Sequence, residues 1–376
     1  MKLSRICLMT MILCSCVGKV DTPSGLVIDE KSAVCLSADD IVSDFMIVPL
    51  KGDEPLDEII GMSCYGDEQF VENLVSDRLY YFRNHEYVNC LHSVGRGPGE
   101  YLNINSYSYD PQQKILYVVS DNVRGVLRYS IPSMEYIGTI PGSGQLSAVC
   151  VLPSGKLGVI DRSPDLRISY FTCVDPVSLE VDTLMTFDSF RFQDRGFYRS
   201  GDAILMGFDW VPSEIVAITQ DGPRTLLDYS FGKEGIPLEL YEEASKGNFL
   251  AAVQVSDAKH YEGKLFGSFQ ARAEEKGAVT FWYTKNNDEM GRLRFCRVTG
   301  NGKISIVKDM SIAGLNIRLK PFAVTEDGYA MIVNGPSDLL IDPDTPMGNL
   351  AEKIVKAVDS QKNDNPVVVY FSMKKL

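Results

Sequence analysis

Few side chains in this chain stand where their type and spacing would do chemistry. The three histidines, His85, His92 and His260, have no HExxH or CxxC partner, which removes the usual zinc frameworks. No GxSxG elbow, phosphate-binding loop or dinucleotide fingerprint occurs, so neither a metal nor a cofactor is expected. What remains are polar residues beside chain reversals. Asp209-Trp210 puts a carboxylate next to an indole, a pair suited to stacking on a sugar ring. Arg124, Arg162 and Arg272 follow the reversal residues Asp121, Asp161 and Gln270 by one to three positions, and together they suit an anionic ligand. Arg96, Glu100 and Tyr101 lie in a glycine-rich connection. Glu100 and Asp209 are also the carboxylates an enzyme of glycan metabolism would use, since glycoside cleavage needs two of them flanking one bond.

To bring such residues together the chain must supply a scaffold, and its repeats do so. Residues 110–140 show the unit most plainly. A turn at Asp110-Pro111 leads into a β-forming run, Asp121-Asn122 turns it back, and Pro132-Ser133 turns it again. One such sheet cannot bury both faces unless copies stack on it. A turn leading into an apolar strand recurs six times, before 79–82, 115–119, 157–160, 203–208, 265–269 and 329–333. Each is followed by a reversal residue: Asn84, Asp121, Asp161, Asp209, Gln270 and Asn334. Third strands are expected at 126–131, 168–174, 214–219 and 279–284, and tight turns precede fourth strands at 225–231 and 303–308.

The last unit runs out of chain after a third strand at 367–372, while the apolar run 45–50 stands alone near the start. Joining the two closes a ring and removes exposed edges. The expected fold is therefore all-β: a six-bladed β-propeller of four-stranded antiparallel blades, with the N-terminal strand completing the last blade. In such a ring the fourth-to-first and second-to-third connections emerge on one face. That top face would gather Gly95 to Tyr101 and the reversal residues around one entrance. Two insertions interrupt the rhythm, a short helix at 237–252 and a second one N-capped at Thr345-Pro346.

A formal charge of −13, with no basic run after the first five residues, excludes a nucleic-acid partner, whose binding draws on clustered Lys and Arg. The N-terminus reads as an address: Lys2 and Arg5, an apolar run at 6–13, then Leu13-Cys14-Ser15-Cys16. Residues 1–15 are expected to be a lipoprotein signal peptide, Cys16 the lipidated residue, 16–39 a tether and 40–376 the propeller. The chain would then meet a membrane only through its lipid, as a monomer in the bacterial cell envelope, on the periplasmic or surface face of the outer membrane. Of nine cysteines, Cys35, Cys64, Cys90, Cys150, Cys173 and Cys296 remain beyond Cys16; they are scattered, and most read as small buried hydrophobes.

The heptapeptide Gly95-Arg96-Gly97-Pro98-Gly99-Glu100-Tyr101 resembles the GxGPGEY signature of the six-bladed β-propeller lipoproteins of Bacteroidetes, relatives in fold of NHL and TolB-like propellers. Supporting matches are Ile47-Val48-Pro49-Leu50, Gly61 and Asn365-Pro366-Val367, so the resemblance covers about residues 40–376. It implies an exported, lipid-anchored propeller and no particular activity. The functional expectation is a non-catalytic binding or scaffold protein, with a small molecule, glycan fragment or protein partner at the top face. The residues expected to meet it are Arg96, Glu100, Tyr101, Arg124, Arg162, Asp209, Trp210 and Arg272.

Overall fold

The computed structural model describes residues 25–52, 56, 58–73, 77–142, 144–165, 167–189, 196–208, 213–235, 265–285, 293–361 and 365–375. Six sheets, formed around residues 59–91, 106–141, 145–188, 197–230, 265–309 and 323–373, are blades 1 to 6 of a propeller. Alternation within each strand sends side chains to both faces of its blade, and each face is buried against a neighbouring blade. Phe70 and Tyr81 of blade 1 share one core with Tyr109, Leu127 and Tyr129 of blade 2, whereas Val71 and Phe82 share another with Ile332 and Val368 of blade 6. Burying one such side chain contributes roughly 1.5–3 kcal/mol. No blade can collect that alone, which is why the chain makes a ring.

Val42–Pro49 pairs antiparallel with Val367–Met373, Ile47 facing Val369, and so forms the outermost strand of blade 6. A helix at Asn349–Asp359 lies over it: Leu350, Ile354 and Val358 are buried in the same core as Val42, Phe45 and Ile47. This helix begins later than its sequence suggests. Gly348 precedes it without a side-chain cap, because the Thr345 hydroxyl instead donates to Asp342 at 2.7 Å.

Three further expectations need correction. Blades 4 and 5 have five strands, because Leu26–Val27 pairs parallel to Gly222–Ser230 and Val34–Leu36 pairs parallel to Ile304–Asp309. From Leu26 onward, the stretch read as a tether thus forms strands along the outer edges of two blades. The strand register also shifts in two units. Leu79–Arg83 is the third strand of blade 1 rather than its second, and Leu265–Ala273 is the first strand of blade 5, which makes Val279–Lys285 second rather than third. The physical cause in blade 1 is Glu68–Asn73, a strand buried at every position although Glu68, Gln69, Glu72 and Asn73 are polar. Buried polar residues leave no hydrophobic pattern to read. The helix expected at 237–252 lies outside the described residues.

Glu68 shows how such a residue is tolerated. Its carboxylate, almost fully buried, accepts from the Tyr81 hydroxyl, from Tyr109 Oη at 3.0 Å and from Lys114 Nζ at 2.9 Å. Burial raises its pKa, but these donors together outweigh burial and hold it below the ordinary carboxylate range. The stability it contributes is therefore present above the unfolded-state pKa and is lost as pH falls through the lowered folded value. Glu68→Gln should cost about 2 kcal/mol at pH 7 and flatten the acid limb of a melting-temperature profile. An unchanged acid limb in the variant would show that this carboxylate does not hold the seam between blades 1 and 2.

Candidate functional site

The innermost strands, Ile59–Tyr65, Ser106–Asp110, Gln145–Val151, Phe197–Ser200, Leu265–Ala273 and Ala323–Val324, surround the propeller axis. All six run the same way, starting at the fourth-to-first connections and ending at the first-to-second turns. The two ends of the axis are therefore built from different loops. They are called here the crossover end and the hairpin end.

The crossover end carries the glycine signature, and its residues are largely occupied with shaping the loop. The Glu100 carboxylate turns back to accept the Gly97 N–H at 2.6 Å. A Cβ on Gly95 would fall 2.1 Å from that carboxylate, and one on Gly99, at φ +76°, would fall 2.5 Å from the Tyr136 ring. Tyr101 is fully buried, with its hydroxyl donating to Asp77 O at 2.9 Å and Leu91 O at 3.1 Å. Burial pushes its pKa well up. Tyr101 is thus a pillar of the core between blades 1 and 2, not a ligand contact. Asn122 stitches the loop to blade 2 by accepting from Leu102 N at 2.9 Å and donating to Gly95 O. Arg96 and Arg124 are exposed at this end, and Arg162, half-buried, ends the second strand of blade 3 there as well. None of these five expected residues lines the axial cavities described next. Asp209, Trp210 and Cys16 lie outside the described residues.

Two cavities occupy the axis. A narrow one of about 270 Å³ is lined by inner-strand residues including Ser63, Tyr107 and Gln270, and by Lys320 from the connection leading into blade 6. A wide one of about 1000 Å³ opens at the hairpin end among the first-to-second turns. Cys64, Tyr65, Arg199 and Val324 line both, so they mark a throat where channel and cavity meet. The volume of the outer chamber is in the range of small-molecule sites.

Arg272 lines the wide cavity, away from the arginines with which the sequence grouped it. Gln270, taken as a reversal residue, is in fact inside the first strand of blade 5, and its side chain donates to Phe322 O at 3.0 Å. Two residues further on, the strand is already at the hairpin end. Arg272 is clamped there: Nη2 donates to Glu326 O at 2.7 Å and Nη1 lies 3.9 Å from Glu274, which also accepts from Arg297 Nε at 2.9 Å. The inner strands of blades 4 and 5 are locked beside it, because Ser200 Oγ accepts the Ala273 N–H at 2.9 Å.

Arg199 differs from Arg272. It precedes Ser200, is exposed to the cavity, and has no carboxylate or hydrogen-bond partner among the described residues. Its charge is felt at Tyr65, across the axis in blade 1. Sequence reading missed Arg199 because Gly201-Asp202 was treated as punctuation. In fact the Gly201-Asp202 turn itself lines the cavity, and Arg199, two residues before it, stands at the throat.

The throat has little capacity for acid–base work. Burial pushes the Cys64 thiol up to about 12, against the hydrogen bond with Tyr370, so it stays a neutral thiol at pH 7. Tyr65 is likewise raised, mainly by burial. The described cysteines form no disulfide with one another. No group of three or more His, Cys, Asp or Glu side chains suited to a metal ion occurs among the described residues.

A family model described as a 6-bladed beta-propeller, DUF5128, matches residues 21–289. Among solved structures, a Bacteroides fragilis protein named as a candidate exported protein is similar with a TM-score of 0.68, at 16% identity over 92% of this chain and 98% of that one. A DUF4221 family member from Bacteroides vulgatus aligns at TM-score 0.45 and 12% identity, covering 89% and 97% of the two chains. A regucalcin from Agrobacterium tumefaciens aligns at TM-score 0.42 and 11% identity, covering 88% and 95%. No curated protein matches this chain in sequence.

Proposed function

Because the chain belongs to the DUF5128 family of six-bladed β-propellers, we propose that it works as an exported binding protein, held at the bacterial outer membrane by lipid on Cys16, that takes its ligand into the axial cavity at the hairpin end. The observation that carries this is the chamber of about 1000 Å³ tapering to a throat at Arg199. The ligand class comprises a small molecule, a glycan fragment or an exposed segment of a protein partner. The lipid anchor rests on the sequence around Cys16, and export is in keeping with the similar Bacteroides fragilis fold.

Binding rather than turnover is favoured by the state of the side chains. The Glu100 carboxylate is committed to the Gly97 amide, and the throat thiol is neutral. Neither is placed as a general acid or nucleophile. A screen of glycan and peptide libraries by thermal shift, with the products analysed afterwards, tests the proposal. Ligands should stabilise the chain without being consumed; Val324→Trp, which fills the throat, should abolish the shift, while Arg96→Ala at the other end leaves it intact. Loss of binding in Arg96→Ala with retention in Val324→Trp would place the site at the crossover end. A consumed ligand would make the protein an enzyme.

A further inference from the structure

We infer that the ligand is two-ended, with a carboxylate that reaches Arg199 in the throat and an ammonium that stays among the carboxylates of the rim, as in a free short peptide. This rests on the axial cavity being the ligand site, and it goes further by assigning the ligand's charge pattern.

The inference follows from where charge sits along the axis. The chain as a whole carries −13, yet the channel and throat expose Arg199 and Lys320, neither with a carboxylate partner among the described residues. Among the described residues the one carboxylate lining the channel, Glu72, is buried and already engaged. A guanidinium standing free in a narrow passage favours a planar anion, because its fork of donors matches a carboxylate in charge and shape. At the mouth the sign reverses. Asp202, Glu275, Glu326 and Asp327, from the first-to-second turns of blades 4, 5 and 6, all line the chamber and form no ion pair among the described residues; they outnumber the two lysines there, Lys374 and Lys375, of which Lys374 donates to the Asp40 carbonyl. The one carboxylate deeper on that side, Glu274, is taken by Arg297 and Arg272.

This order of charges selects against simpler ligands. A polyanion such as an oligouronate would have to pass a rim on which four carboxylates outnumber two lysines before reaching Arg199. A cation with no acid group would be drawn to the rim and stopped at the throat. A ligand whose inner end is a carboxylate and whose outer end is an ammonium satisfies both layers, and the field at the mouth would orient it as it enters.

A pooled random tripeptide library in three forms tests this by thermal shift and titration calorimetry: free, C-terminally amidated and N-acetylated. The free pool should bind and the amidated pool should lose about tenfold or more, since it removes the charge that meets Arg199. The acetylated pool should lose about threefold to tenfold, because the rim is solvent-exposed and screened. Arg199→Gln should abolish the difference between free and amidated pools while leaving the unliganded melting temperature unchanged, since the Arg199 side chain makes no hydrogen bond or ion pair among the described residues. Equal binding of the free and amidated pools, or wild-type discrimination in Arg199→Gln, would overturn the inference. If no tripeptide binds but a neutral trisaccharide does, and Val324→Trp blocks it, the charge pattern is wrong and the cavity stands. If nothing that binds is sensitive to Val324→Trp, both fall together.

Discussion

Val48→Pro should unlatch the ring, whereas Ile47→Pro, one residue away, should be tolerated far better. The difference comes from which amides face the partner strand. Leu50 N–H donates to Pro366 O at 3.0 Å, just past the register in which Pro49 faces Val367, Val48 faces Val368 and Ile47 faces Val369. Bonded and non-bonded pairs alternate in an antiparallel ladder, so Val48 is a bonded position like Leu50, and Ile47 and Pro49 are not. That is also why a proline already sits at 49. Val48→Pro removes a ladder bond from the closure and should cost about 2–3 kcal/mol, lowering the melting temperature by roughly 5 °C or more. Ile47→Pro should cost less than half of that. Equal losses in the two variants would mean that this strand is not held by the ladder.

Arg294→Met should release the N-terminal strands from the outer edges of blades 4 and 5. Arg294 Nε donates to Glu30 Oε1 at 2.7 Å, with both side chains more than nine-tenths buried, and Glu30 sits between the two short edge strands. Removing one partner leaves a buried carboxylate whose nearest remaining cation, Lys285, is 3.9 Å away and partly exposed. Such a loss costs about 3 kcal/mol, whereas replacing both partners by apolar side chains costs much less. Hydrogen exchange should therefore accelerate in Leu26–Val27 and Val34–Leu36 in Arg294→Met and return toward the parent rate in Glu30→Met/Arg294→Met. Strands of two and three residues have little else to hold them. If both edge strands stay protected in the single variant, the ion pair is not their anchor.

The blade count was legible because turns and apolar strands alternate through most of the chain, and the closure because 45–50 is a strand without a neighbour in sequence. Legibility failed where burial and polarity part company. Glu68–Asn73 is fully inside yet reads as surface, since its polar groups are satisfied by partners on other strands that no local pattern reveals. Leu26–Val27 and Val34–Leu36 failed for the opposite reason: they are too short and too exposed to show alternation, and become strands only because an edge is offered to them.

The site was harder to read than the fold. The glycine motif stood out, but Gly95 and Gly99 are required by the Glu100 carboxylate and the Tyr136 ring, and so report the shape of a loop. Tyr101 looked available because its connection is polar, yet it is anchored by carbonyls from distant segments. Arg199 carries no motif at all. Only the direction of the inner strands shows that it enters the throat, and that direction depends on getting the blade register right.

The most direct test of the account is hydrogen exchange of the chain with and without the ligand that gives the largest thermal shift. Binding in the axial chamber predicts new protection in segments 199–202, 272–275 and 324–327, with none at 95–101 or 120–124. Protection confined to the latter two segments would contradict it, and would return the ligand to the crossover end.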